Sequence, residues 1–225
     1  MSTVAGVAVG AAGCVLTSPY LARLTLTVPD RDDRHWWRGR PTSRNRLCLT
    51  ALVAVVLGAL AGAAVGWSAL LPAFLAFAMT CTPLILIDFE HHRLPNRLVF
   101  SALVAAIVLL TLAAAVRPDW ASWLHAIEGG AAVFAVLFLL AFIAPRSFGF
   151  GDVKLGGLLG AYLGWFGWNY VYYGIFAGFL LGAVVAVALL ASRRASLTTA
   201  MAFGPMLVLG TLAVLAFGLP PALSP

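Results

Sequence analysis

Long apolar stretches alternate with short polar ones along the whole chain. Eight apolar spans stand out, at approximately 3–20, 48–66, 69–87, 97–116, 125–144, 153–168, 171–191 and 198–218. Each lies near the ~20 residues with which an α-helix crosses a bilayer. The sixth is short and rich in glycine. Lipid offers the backbone no hydrogen-bond partner, so spans of this kind must satisfy their own peptide groups within helices. The pattern predicts an all-α fold, a polytopic transmembrane bundle of about eight helices. No internal repeat is evident, and no polar stretch is long enough for a separate soluble domain. Residues 1–225 therefore read as a single integral membrane domain. Its largest polar segment is an arginine-rich loop at 21–47.

Composition agrees with the pattern. The chain is 62% hydrophobic and 10% charged, with a mean hydropathy of +0.99, which excludes an ordinary soluble domain. A net charge of +6 would suit a nucleic-acid partner, but the arginines flank apolar spans and read as topology determinants instead. With the 21–47 loop on the cytoplasmic side, thirteen of the fourteen basic residues fall inside and only Arg117 falls outside. Both termini then lie outside. Trp67, Trp120, Trp123, Trp165 and Trp168 gather at the outer helix ends as an aromatic belt. The basic loop is expected to meet anionic lipid. Cys14, Cys48 and Cys81 form no CxxC pair, so neither a disulfide nor a metal site is expected, and nothing calls for a cofactor. Ala11-Ala12-Gly13-Cys14 faintly resembles a lipoprotein cleavage box. No basic residue precedes it, and the first span is expected to remain in place.

Two aspartates change the picture from architecture to chemistry. Asp88 closes the third span and Asp152 opens the sixth, both at the cytoplasmic ends in this topology. Carboxyl groups at membrane depth are costly, so each is a functional candidate. Two carboxyls in one site cannot both ionise cheaply, and the pair holds a single proton near neutrality. The ionised partner can take a proton from water while the protonated one polarises a peptide carbonyl, with no metal involved. Gly149 and Gly151 are expected to give backbone conformations closed to other residues and a close approach to substrate. Pro95 and Asn96 end the polar turn after Asp88 and start the next helix. Lys154 either balances the charge of the dyad or anchors at the interface with its stem along lipid. Glu90, His91 and His92 read as a wet loop. His125, Glu128 and Asp119 read as solvated outer residues, and His35 as an ordinary loop residue. The glycines of spans six and seven read as helix-packing positions.

The segment Asp88-Phe89-Glu90-His91-His92-Arg93-Leu94-Pro95-Asn96-Arg97-Leu98 resembles the first aspartate motif of the type IV prepilin peptidases. Gly149-Phe150-Gly151-Asp152-Val153-Lys154-Leu155, with Gly160-Ala161-Tyr162-Leu163-Gly164 beyond it, resembles their second, GxGD-bearing motif. Phe203-Gly204-Pro205 is similar to a third family feature. The resemblance covers roughly residues 70–218. It implies an aspartic endopeptidase of the cytoplasmic membrane, with Asp88 and Asp152 catalytic. Such an enzyme cuts the basic leader from prepilins or pseudopilins just after a glycine, ahead of their hydrophobic helix. Larger members carry paired CxxC motifs in an N-terminal cytoplasmic region linked to N-methylation. Trp36-Trp37-Arg38-Gly39-Arg40 resembles a fragment of that region without its cysteines. The resemblance implies that the loop at 21–47 is a degenerate remnant of it, and methyl transfer is not expected. Two rivals are a proton- or cation-coupled transporter and a non-catalytic scaffold of a pilus or secretion system. Against the transporter, both aspartates lie near one interface, whereas coupling sites usually sit at the midplane between repeats.

Overall fold

A computed structural model describes residues 2–28, 41–143, 149–192 and 202–218. Among these residues there are eight helices: α1 (Ser2–Thr27), α2 (Arg44–Val65), α3 (Leu71–His91), α4 (Asn96–Val116), α5 (Trp120–Ile143), α6 (Phe150–Gly164), α7 (Trp168–Ala191) and α8 (Gly204–Phe217). Six of them, α1 to α5 and α7, are long and apolar enough to cross a membrane. The chain is a multi-pass helical membrane protein. The Trp36–Arg40 fragment and the start of the eighth predicted span, 198–201, lie outside the described residues, as do Arg31, Arg34, Arg146, Arg193 and Arg194.

Glycine sets the helix pairing. Between α1 and α2, Gly6 and Gly10 face Gly62 and Gly58 so closely that a Cβ on any of the four would enter the opposing backbone. Small residues four apart let two backbones approach in lipid, where no hydrophobic drive separates helix from tail. The same device joins α5 to α6 through Gly129 and Gly160, and α7 to α8 through Gly178 and Gly210. The glycines of spans six and seven thus pack helices, as expected.

The central helix is α3, apolar on all sides and buried along most of its length. Tyr162 of α6 locks onto it. Its hydroxyl donates to the Ala73 carbonyl at 2.9 Å, and its ring packs edge-on against Phe74 and tilted against Phe77. A fully buried phenol needs such a partner.

Three expectations need correction. The predicted loop 21–47 is helical at both described ends, because α1 continues to Thr27 and α2 starts at Arg44. Leu21, Leu24 and Val28 are buried in the core, and the Thr25 hydroxyl bonds back to the Ala22 carbonyl at 2.7 Å, so the helix gains by continuing. Helices α6 and α8 have 15 and 14 residues, short of a full crossing. Neighbouring helices enclose both along most of their length. Finally, Trp165 is buried, because the end of α6 lies inside the bundle and not at its lipid-facing rim.

Candidate active site

The site begins where α3 stops. Asp88 lies in its last turn and is 4% exposed. His92 closes the helix in the left-handed region, at φ 49°, a conformation histidine tolerates better than most residues. Its N–H donates to the Asp88 carbonyl at 2.9 Å, the bond of a left-handed C-cap. Its Nδ1 lies 3.2 Å from the same oxygen. Pro95 then caps α4 with the fixed φ that suits a helix entrance, and Asn96 is the first helical residue.

The first turn of α6 supplies the second carboxyl. Gly149 is its N-cap, and the Asp152 N–H bonds to the Gly149 carbonyl at 3.1 Å. A carboxylate in a first turn is favoured by the unsatisfied N–H groups and dipole there. Asp88 meets the same kind of environment on a different helix. The Gly204 N–H, at the start of α8, donates to Asp88 Oδ2 at 3.1 Å. A Cβ at Gly204 would stand 2.9 Å from that oxygen, so a larger residue would push α8 off the carboxylate.

Asp88 and Asp152 line one cavity of 970 Å³. Gly149, Gly151, Pro95 and Asn96 line it too, so six of the seven residues singled out in the sequence meet there. Lys154 does not line it. It stands two residues beyond Asp152, about 200° around the helix. Its Nζ donates to Asn96 Oδ1 at 2.9 Å and lies over the rings of Phe150 and Phe100, 4.8 and 5.2 Å from their centroids. It ties α6 to α4.

The glycine rationale also changes. Gly149 has φ −78° and Gly151 is helical, conformations open to any residue. Gly151 is needed for space: a Cβ would lie 2.8 Å from Leu94 Cβ. The turn between α3 and α4 therefore rests directly on the first turn of α6.

Five further residues stand at the site: Gly204, His91, His92, Glu90 and Arg46. Phe203-Gly204-Pro205 was noted only as a similarity, and its backbone bond to Asp88 leaves no side-chain signal. His91 and His92 are exposed, as a wet loop would be, and line the aspartate cavity. Glu90 is paired with Arg46, whose Nε also donates to Thr25 Oγ1 at 2.8 Å. One guanidinium thus joins the end of α1, the start of α2 and the end of α3, two residues from Asp88. Arg46 looked like one more topology charge among many.

The fold and site define a class: a polytopic helical membrane protein with two carboxyls at one end of the bundle, each beside a helix N-terminus. Residues 75–187 match the type IV leader peptidase family, and the chain belongs to that family. Among curated proteins it is similar to the prepilin leader peptidase/N-methyltransferase of Pseudomonas putida, with 33% identity over 168 residues, 73% of this chain and 55% of that one. The proteins of the same name from Stutzerimonas stutzeri and Pseudomonas aeruginosa are 29% and 31% identical over 134 residues, 59% of this chain and 45% of each relative. The chain spans about half the length of these relatives. No solved structure matches significantly.

Proposed function

We propose that this chain is an aspartic endopeptidase that removes the basic leader from type IV prepilins or pseudopilins. The observation that carries the proposal is that Asp88 and Asp152, both within the family-matched region, line a single cavity at one end of the bundle. The pair shares one proton. The ionised carboxyl takes a proton from a water molecule, and the resulting hydroxide adds to the scissile carbonyl carbon. The protonated carboxyl meanwhile gives its proton to the carbonyl oxygen. In the second step the carboxyl that took the water proton gives it to the leaving nitrogen as the C–N bond breaks, while the other carboxyl takes a hydroxyl proton from the tetrahedral diol. The leader departs with a new carboxylate, and the pilin keeps a new amine. Roles exchange between the steps, as general acid–base catalysis requires.

The excess of positive charge on one face supports a cytoplasmic-membrane location with the cavity toward the cytoplasm. A substrate with its leader in the cytoplasm and its helix in the bilayer presents its cut site at that interface. Residues 1–225 act as one peptidase domain, with the basic segment serving topology and substrate docking. Methyl transfer, part of the relatives' names, is outside the proposal: residues 21–47 contain no cysteine.

Co-expression with a prepilin in cells lacking their own leader peptidase tests this. Mass spectrometry of the pilin should show the leader removed after a glycine. A pilin that keeps its full leader, with the membrane protein present and folded, would refute the proposal. Altered ion flux in its place would favour a transporter.

A further inference from the structure

Helices α4 and α5 follow one another in the chain, yet they splay apart over α6 and leave a groove of 490 Å³. Leu103, Ile107 and Leu110 form one wall, Ile127 and Phe134 the other, and Lys154 is the one charged residue that lines it. Ile107 and Ile127 are half exposed, so the groove opens on the outside of the bundle, where the bilayer lies. Lys154 stands at the same end as the aspartate cavity but on the opposite side of α6. Its polar partner is the neutral amide of Asn96, and no carboxylate among the described residues pairs with it.

Charge and surroundings select the occupant. The groove runs ~16 Å along α4 from Val99 to Leu110 and opens on the bilayer, so lipid acyl chains are the molecules that it meets. A cation at the polar end of an apolar slot is complementary to an anionic head on an apolar tail. We propose that the groove holds one acyl chain of an anionic phospholipid, with the headgroup phosphate on Lys154. The lipid then braces the Lys154–Asn96 bridge between α4 and α6 beside the aspartates. This binding does not depend on the peptidase assignment.

The test is native mass spectrometry of the full-length protein reconstituted in nanodiscs of equal phosphatidylglycerol and phosphatidylcholine. The wild type should retain one phosphatidylglycerol about fivefold over phosphatidylcholine, the preference one cation near the surface supplies. Lys154→Gln should bring that ratio near one. Ala131→Phe, at an exposed groove position, should lower the number of retained lipids by one while the helical circular dichroism is unchanged. Equal retention of the two lipids by the wild type means annular lipid only and overturns the proposal. So does an unchanged preference in Lys154→Gln, or full retention in Ala131→Phe. A photo-crosslinker at position 131 that captures an apolar helical peptide in preference to lipid also overturns it.

Discussion

Among the described residues, Asp88 Oδ2 takes a hydrogen bond from one backbone donor, the Gly204 N–H. Gly204→Ala places a methyl group against Asp88 Oδ2 and displaces the N–H now 3.1 Å away. A hydrogen bond to a charged group is worth about 1.5–3 kcal/mol, so the leader-cleavage rate should fall about 10- to 100-fold. Rate measurements on the purified, folded variant check this, and an unchanged rate would remove Gly204 from the site. Gly151→Ala has a different target. Its Cβ would overlap Leu94 Cβ, both fixed to backbone, and overpacking of this kind typically costs about 1–3 kcal/mol. A lower thermal midpoint is expected. Arg46→Gln removes the partner of Glu90, which is 42% exposed, so the pair itself contributes only ~1 kcal/mol. Arg46→Lys should fail to restore stability, because one ammonium is a poor substitute for a fork that reaches both Thr25 and Glu90.

At the scale of elements, glycine pairing makes a sharp contrast testable. Gly58→Ala drives a Cβ into the α1 backbone at Gly10 and should abolish recovery of folded, monodisperse protein. Gly13→Ala, on the same α1 helix, adds a Cβ that meets nothing nearer than Met79 Cε at 3.9 Å and should be tolerated. Equal behaviour of the two would contradict the α1–α2 packing. The same contrast shows what was legible in the sequence. Bilayer thickness limits span length, so each predicted span overlaps a helix among the described residues, six of them long enough to cross. Helix ends are set by tertiary contacts, which is why α1 runs on through Leu24 to Thr27 and why α8 starts at Gly204. Asp88 and Asp152 were legible because charge in an apolar context is costly. Arg46 was not, because one arginine among many at an interface carries no signal until Thr25 and Glu90 close around it.

The whole molecule brings together at one end the close of α1 and α3 and the start of α2, α4, α6 and α8. Val28, Asp88, Asn96 and Asp152 line one cavity there, with the Arg46 pair and Gly204 beside it. On the proposed topology the basic residues place this end toward the cytoplasm. In a Cys48→Ser background, which removes the exposed native thiol, Asn96→Cys should react with a membrane-impermeant reagent only after the inner face is opened. Ser68→Cys should react from outside in intact cells, and the reverse pattern would invert the topology. On the proposed mechanism the two carboxyls are one device and not two contributors. The decisive measurement is the leader-cleavage rate of Asp88→Asn, Asp152→Asn and the double variant, each verified as folded in the membrane. Groups that act as a unit lose their effect together. Each single change should therefore lower the rate by at least ~10², and the double change should lower it no further. A single variant that retains wild-type cleavage, or losses that multiply in the double, would contradict a shared dyad.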